Sequence, residues 1–300
     1  MIDRRRLLQT SAASMAALAL PSSLHAEEGR CPSGDVTLFY RRFGKPGKTP
    51  VVLMHGANYF DSFDWINVAD KLAVDREVVC FDMRGFGESS WSPSKNYSID
   101  ALLGDIRTLF AHLGWRKPIV AGHSFSGRLA VSFASAFPEE LSRLIVIDSA
   151  FGEYEPSAKG VNNPPVVFPT VEAAMERFAK LANPPRISQD RARAEQALTK
   201  VAQGYQLKRD PDYSNARPID PSVNVRPVRE LDVWAELPKV GTSLYFVRGL
   251  KSNRFTPEIV ARLNRDFPKI VWATANSMHD IPFYAPDELI AALKSFTRDI

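Results

Sequence analysis

The sequence predicts an α/β fold: a mostly parallel sheet with helices on both faces and a helical cap inserted into it. Three observations carry this. Short apolar runs alternate with helical periodicities along residues 36–148 and again along 241–300. Between them, residues 149–240 are studded with prolines and contain no visible core strand. Finally, Pro118-Ile119-Val120-Ala121-Gly122-His123-Ser124-Phe125-Ser126-Gly127 joins an apolar run to a helical stretch through small residues placed around one serine. A chain of 300 residues, 45% hydrophobic and 24% charged, is long enough to bury one large core that carries an insertion.

Taken in order, residues 1–26 read as an address. Arg4-Arg5-Arg6-Leu7-Leu8-Gln9 is basic, residues 12–20 are weakly apolar, and Leu24-His25-Ala26 ends in a cleavage-type alanine before Glu27-Glu28. The apolar run is too short to span a bilayer. Residues 3–8 resemble a twin-arginine export signal, which implies a bacterial protein, periplasmic or secreted, with no stable membrane insertion after the signal is removed. The core follows as residues 27–148 and 241–300. Residues 36–43 alternate weakly, as edge strands do, and residues 51–54 are a short apolar run ending at His55-Gly56. A helical period over 65–73 leads to the apolar run 78–81, which ends in Asp82-Met83-Arg84-Gly85-Phe86-Gly87-Glu88-Ser89. Apolar residues at 99, 102, 103, 106, 109, 110 and 113 define an amphipathic helix. Strand 118–121, a helix from about 127 to 137, and strand 144–147 ending at Asp148 complete the first half.

Within the insertion, residues 171–182 and about 189–205 have helical patterns, so a helical cap is expected over the carboxyl ends of the strands. Downstream, strands are expected at 244–247 and 270–272, with helices at 257–267 and 287–296.

Composition excludes several functions. Three of the 38 basic and one of the 34 acidic residues lie in the first 26, so the formal charge of +4 falls to +2 beyond them. No basic stripe interleaved with aromatics appears, which argues against nucleic acid as a partner. The five histidines are scattered without metal-ligand spacing, so no metal is expected. Cys31 and Cys80 allow at most one disulfide, and the mature domain is large enough to need none.

The serine turn directs the search for chemistry. A serine hydroxyl becomes nucleophilic only when a base takes its proton and preorganised donors meet the oxyanion. The base belongs in a loop after the last strand, where His279 stands in Asn276-Ser277-Met278-His279-Asp280-Ile281-Pro282. His25 falls in the address, His112 on a helix surface, and His123 beside the nucleophile but pointing elsewhere. The donors are expected to be two backbone N–H groups: Phe125, following the nucleophile, and Ala57, in the loop after Met54-His55-Gly56. Gly56 lets the backbone approach closely, and His55 is expected to brace that loop.

The ordered set of strand–His-Gly, Asp82-x-Arg84-Gly85-x-Gly87-x-Ser89, Gly122-His123-Ser124-x-Ser126-Gly127 and a late His279 resembles the α/β-hydrolase superfamily over residues 36–300 apart from the cap. The resemblance implies the α/β-hydrolase fold, a Ser-acid-His triad, no cofactor and a lid over the pocket. Its usual acid would fall in the turn Arg248-Gly249-Leu250-Lys251-Ser252-Asn253-Arg254, where no carboxylate stands. Some members carry the acid after the strand that follows the nucleophile helix, and there this chain has Asp148. Glu153 and Asp232 are more distant alternatives, and Ser252 or Asn253 holding the imidazole weakly is another. The expected activity is acyl-enzyme cleavage of a small-molecule carboxylic ester or lactone on Ser124. Carbon–carbon bond hydrolysis and non-catalytic ligand binding are the rivals.

Overall fold

The computed structural model describes residues 26–151, 167–214, 231–298 and 300. The basic and apolar segments of the address, and Glu153, lie outside the described residues. The described chain runs β1 (Glu27–Ser33), β2 (Val36–Phe43), β3 (Lys48–Met54), α1 (Ile66–Leu72), β4 (Arg76–Phe81), α2 (Ile99–Leu113), β5 (Ile119–His123), α3 (Phe125–Ala136) and β6 (Arg143–Ile147). The insertion adds β7 (Val167–Phe168), α4 (Val171–Ala179), α5 (Arg191–Ala197), β8 (Leu198–Val201), β9 (Gly204–Leu207) and α6 (Val233–Glu236). The core resumes with β10 (Ser243–Gly249), α7 (Pro257–Asp266), β11 (Val271–Ala275), α8 (Ile281–Tyr284) and α9 (Pro286–Phe296).

Eight strands form one sheet in the order β1-β2-β4-β3-β5-β6-β10-β11. Six run parallel, from β4 to β11, while β1 and β2 pair antiparallel at one edge. The parallel strands read as continuous apolar runs because both of their faces are covered. On β6, Leu144 and Val146 pack beneath α2, α3 and α7, whereas Ile145 and Ile147 pack against α1 and α9. The chain goes outward from β3 to β4 and then returns to lay β5 against the other side of β3. At such a switch point the loops leaving two adjacent strands diverge and open a crevice. Here the flanking loops are the one after β3, with His55-Gly56-Ala57, and the one after β5, with Ser124.

Two elements differ from the sequence expectation. The polar run of β1 was not foreseen; it is an edge strand in which only Cys31 and Ser33 are buried, so its apolar signal is weak. The helix expected over 189–205 stops at Ala197, and the chain turns back as the β8–β9 hairpin, which joins β7 in a three-stranded antiparallel sheet. Leu198 turns extended at φ −113 and ψ 146, which ends the helix, Gly204 at φ 133 begins the return strand, and Leu198 and Leu207 are buried with Phe168 and Phe178 beneath the hairpin. The insertion therefore keeps helices α4 and α5 and adds a small sheet of its own. Its last strand leads into Lys208–Asp210, which pairs with the core loop through Gly87 N–H to Lys208 O at 2.7 Å and Asp210 N–H to Gly85 O at 2.7 Å.

Candidate active site

The serine turn is built by backbone constraint. Ser124 has φ 56 and ψ −120, a conformation costly for a residue with a Cβ. Its N–H continues the sheet to Ile147 O at 2.9 Å, and its carbonyl accepts from Ser149 Oγ at 2.6 Å and from Gly127 N–H at 3.0 Å. The flanking positions must be small: a Cβ on Gly122 would lie 2.2 Å from Ser126 O, and one on Gly127 would lie 2.9 Å from Ser149 Cβ. Ser126, where a second glycine is usual, donates its hydroxyl to His55 O and so ties the turn to the neighbouring loop.

His279 reaches Ser124 from the loop between β11 and α8. Its Nε2 lies 2.9 Å from Ser124 Oγ and its Nδ1 lies 2.8 Å from Asp148 Oδ2. Asp148 is fully buried at φ 42, immediately past β6, and its N–H extends the ladder to Val247 O at 2.8 Å. Its carboxylate accepts three hydrogen bonds: His279 Nδ1–H and Ser252 Oγ–H (2.5 Å) on Oδ2, and Gly249 N–H (3.0 Å) on Oδ1. Ser252 thus holds the carboxylate from the place where the resemblance expected the acid itself. Asp232, the outlying alternative, instead caps α6 by accepting from Trp234 and Ala235 N–H.

Electrostatics favour a neutral imidazole at rest. Burial pushes His279 well below the ordinary histidine range, and the nearby Arg254 guanidinium adds to this. Burial raises Asp148, opposed by the Ser252 and Gly249 hydrogen bonds. With Asp148 accepting at Nδ1, Nε2 carries the lone pair that faces the Ser124 hydroxyl. His123, buried beneath His279, donates from Nε2 to the His279 carbonyl at 2.9 Å, and burial holds it at about 3, so it stays neutral and supports the loop.

The loop after β3 stands beside the serine. A Cβ on Gly56 would lie 2.8 Å from Phe60 Cδ2 and 3.2 Å from Ser124 Cβ, so any larger residue here would have to push the Phe60 ring aside. His55 Nε2 accepts from Met83 N–H at 3.0 Å, which leaves Nδ1 to donate to Gly56 O at 2.6 Å. It braces the loop that presents Ala57. Phe125 begins α3, so its N–H has no carbonyl partner within the helix. Asn58, at φ 71, is another strained residue here.

Sequence reasoning missed the buried charge cluster beside this loop. Arg193 of α5 bonds both oxygens of Asp64 (2.7 and 2.9 Å), lies 3.2 Å from Asp61, and donates to Tyr59 O at 2.9 Å. Asp280, next to His279, accepts from Arg186 N–H at 2.8 Å and is raised to about 7, first by burial and then by Asp64. The acidic pair in Tyr59-Phe60-Asp61-Ser62-Phe63-Asp64 was the available signal. A shallow cleft opens there between residues 58–61 and Ala197, Leu207, Lys208 and Arg209 of the insertion, bordering the Ala57 loop rather than Ser124 itself. Among the described residues no group of His, Cys, Asp and Glu side chains is placed to hold a metal, and no helix is long and apolar enough to cross a membrane.

The sequence profile described as alpha/beta hydrolase fold matches residues 49–297. Epoxide hydrolase 4 of Mus musculus is 32% identical over 131 residues, which cover 42% of this chain and 36% of that protein. The chain thus spans about a third of the length of the epoxide hydrolases it matches. Lipase LipV of Mycobacterium tuberculosis is 24% identical over 282 residues, 87% of this chain and 97% of the lipase. Among solved structures, E-2-(acetamidomethylene)succinate hydrolase superposes with a TM-score of 0.72 at 20% identity, over 91% of this chain and 99% of that one. A marine microorganism esterase does so with a TM-score of 0.66 at 20% identity, over 86% and 98%. At these identities the solved structures share the fold alone.

Proposed function

Because the chain belongs to the alpha/beta hydrolase fold family, we propose that it is a serine hydrolase that cleaves a carboxylic ester or lactone through an acyl-enzyme on Ser124. The observation that carries this reading is the unbroken hydrogen-bond chain from Ser124 Oγ through His279 to Asp148, at 2.9 and 2.8 Å. His279 Nε2 takes the hydroxyl proton as Ser124 Oγ attacks the carbonyl carbon. Phe125 and Ala57 N–H groups receive the oxyanion. When the tetrahedral adduct collapses, the imidazolium returns the proton to the leaving alkoxide, and the alcohol departs. Water then repeats the sequence on the acyl-enzyme and frees the acid. Asp148 fixes the imidazole tautomer and stabilises its transient charge.

The lipase, which aligns over nearly its whole length, supports an ester substrate. The epoxide hydrolases align over less than half of this chain. A fluorophosphonate probe tests the nucleophile: one adduct by intact mass is expected on the wild-type protein, and none on Ser124→Ala. A label that survives the substitution sinks the assignment.

We also propose that residues 1–26 direct export of the folded protein. Supporting this, β1 begins at Glu27, so removal of the address after Ala26 leaves the whole sheet intact. Fractionation should find a periplasmic form starting near Glu27. Export unchanged after Arg4, Arg5 and Arg6 are replaced by Lys would contradict it.

A further inference from the structure

Residues 184–193 of the insertion are bonded to two loops of the site at once. At one end, Arg186 N–H donates to Asp280 Oδ2 at 2.8 Å, one residue from His279. Tyr284, which ends α8, donates its hydroxyl to Pro184 O at 2.9 Å and accepts from Gln189 Nε2. At the other end, Arg193 donates to Tyr59 O at 2.9 Å and to both oxygens of Asp64, in the loop that presents Ala57. Between these ends the segment is braced within itself. Ser188 N–H donates to Pro185 O, and Gln189 and Asp190 N–H to Arg186 O, each at 2.9 Å. Asp190 then caps α5 by accepting from Arg193 N–H at 3.1 Å, and its carboxylate engages the Arg186 guanidinium at 2.8 Å.

Asp280 is a costly residue to bury. It is 2% exposed; Oδ2 is held by Arg186, while Oδ1 is buried with no hydrogen-bond partner among the described residues. The ionisable groups that face it are Tyr59 and Asp64 from the loop after β3, Arg193 from α5, Arg186, and Tyr284 from α8. A leucine there would leave no polar atom unsatisfied, so packing alone does not call for a carboxyl. What the carboxyl supplies is the acceptor for Arg186 N–H, and with it the link from the His279 loop to the segment. Across the site the two loops also meet at Phe60 and His279, whose rings stand edge to face at 6.3 Å, an arrangement that tolerates a range of separations. Catalysis does not tolerate such a range, because a misplacement of about 1 Å can lower the rate about 100-fold.

We propose that Asp280 is a positioning residue: through Arg186 it joins the His279 loop to residues 184–193, and Arg193 joins the same segment to the loop presenting Ala57, so that the insertion fixes the base and the oxyanion donor relative to each other. The inference deepens the serine-hydrolase reading and rests on it for the effect on rate. The coupling between the two loops belongs to the fold and can be read without turnover.

Two variants release opposite ends of the segment. Asp280→Leu fills the same space without an acceptor, and Arg193→Lys keeps the buried charge but loses the fork that reaches Tyr59 O and Asp64 together. Hydrogen–deuterium exchange of the full chain is read by mass spectrometry. Asp280→Leu should speed exchange about tenfold in residues 57–64 and in 184–192, and Arg193→Lys should do the same in 276–284 and 184–192, with β5 and β6 as protected as in the wild type. Turnover of p-nitrophenyl acetate per site titrated by a fluorophosphonate should fall about tenfold in kcat in either variant, with KM within about twofold. Asp280→Asn, which retains the acceptor, should restore most of kcat. The double variant should lose no more than either single one, since a strut freed at one end transmits nothing from the other; the single variants suffice if the double one does not fold. Exchange that rises only in the substituted loop overturns the inference, and so do kcat losses that multiply to about 100-fold in the double variant. A lower melting temperature with unchanged kcat per titrated site overturns it too, since a merely structural role gives that result. If Ser124-dependent hydrolysis is absent, the hydrolase reading fails, and exchange alone decides: a response in the far loop upholds the coupling, and none refutes it.

Discussion

Asp148 holds His279 with one oxygen while Ser252 and Gly249 hold Asp148, so its replacement has separable consequences. Asp148→Asn removes the charge that fixes the imidazole tautomer and should lower turnover by about 10⁴-fold with the fold intact by circular dichroism. Near-normal turnover would place the acid elsewhere. Ser252→Ala removes one of three donors to the carboxylate and should cost about tenfold in kcat, in keeping with the worth of a hydrogen bond to a charged group. Aspartate at 252 would set a second carboxylate against the first, so it is expected to slow the enzyme. At this scale much was legible: Ser124 and His279 stand in sequence contexts that only tight turns and late loops require. The role of Ser252 was not, because a hydroxyl carries no pattern and its partner lies 104 residues away.

Among elements, the parallel strands announced themselves because burial on both faces leaves no polar alternation to confuse with a helix. The insertion hid its hairpin. Residues 198–207 contain Thr199, Lys200 and Gln206 on exposed or half-exposed positions, and the helical period of α5 runs on into them. Helix α5 matters to the core through one residue. Arg193 is 1% exposed and holds two buried carboxylates, so Arg193→Met should destabilise the protein by about 3–5 kcal/mol in chemical unfolding. The loss should depend on pH. Burial already holds Asp61 at about 6, above its unfolded value of 3.8, and without the guanidinium it rises further. A carboxyl raised on folding favours the native state at low pH, and that contribution disappears as pH climbs through its native value. The deficit of Arg193→Met should therefore be small near pH 5 and grow towards pH 8; a pH-independent deficit would mean that Asp61 does not take up the proton.

For the molecule as a whole, strand order places the chemistry. The return from β4 to β5 sets the Ala57 loop and the Ser124 turn on adjacent strands, while β6 and β10 bring Asp148 and Ser252 together from segments 104 residues apart. The insertion is fastened at Arg193, at Asp280 with Arg186, and at Lys208–Asp210 against the Gly85–Gly87 loop. Cys31 lies among the side chains under α2, and Cys80 among those under α1 and α9, so the two thiols occupy opposite sides of one sheet. No rearrangement short of unfolding could join them. The native state consequently owes nothing to oxidation: it can be completed in a reducing cytoplasm and survive unchanged in an oxidising one. Melting curves with and without dithiothreitol should superimpose, and for a protein proposed to cross a membrane already folded, that indifference to redox surroundings lets a single structure serve on both sides.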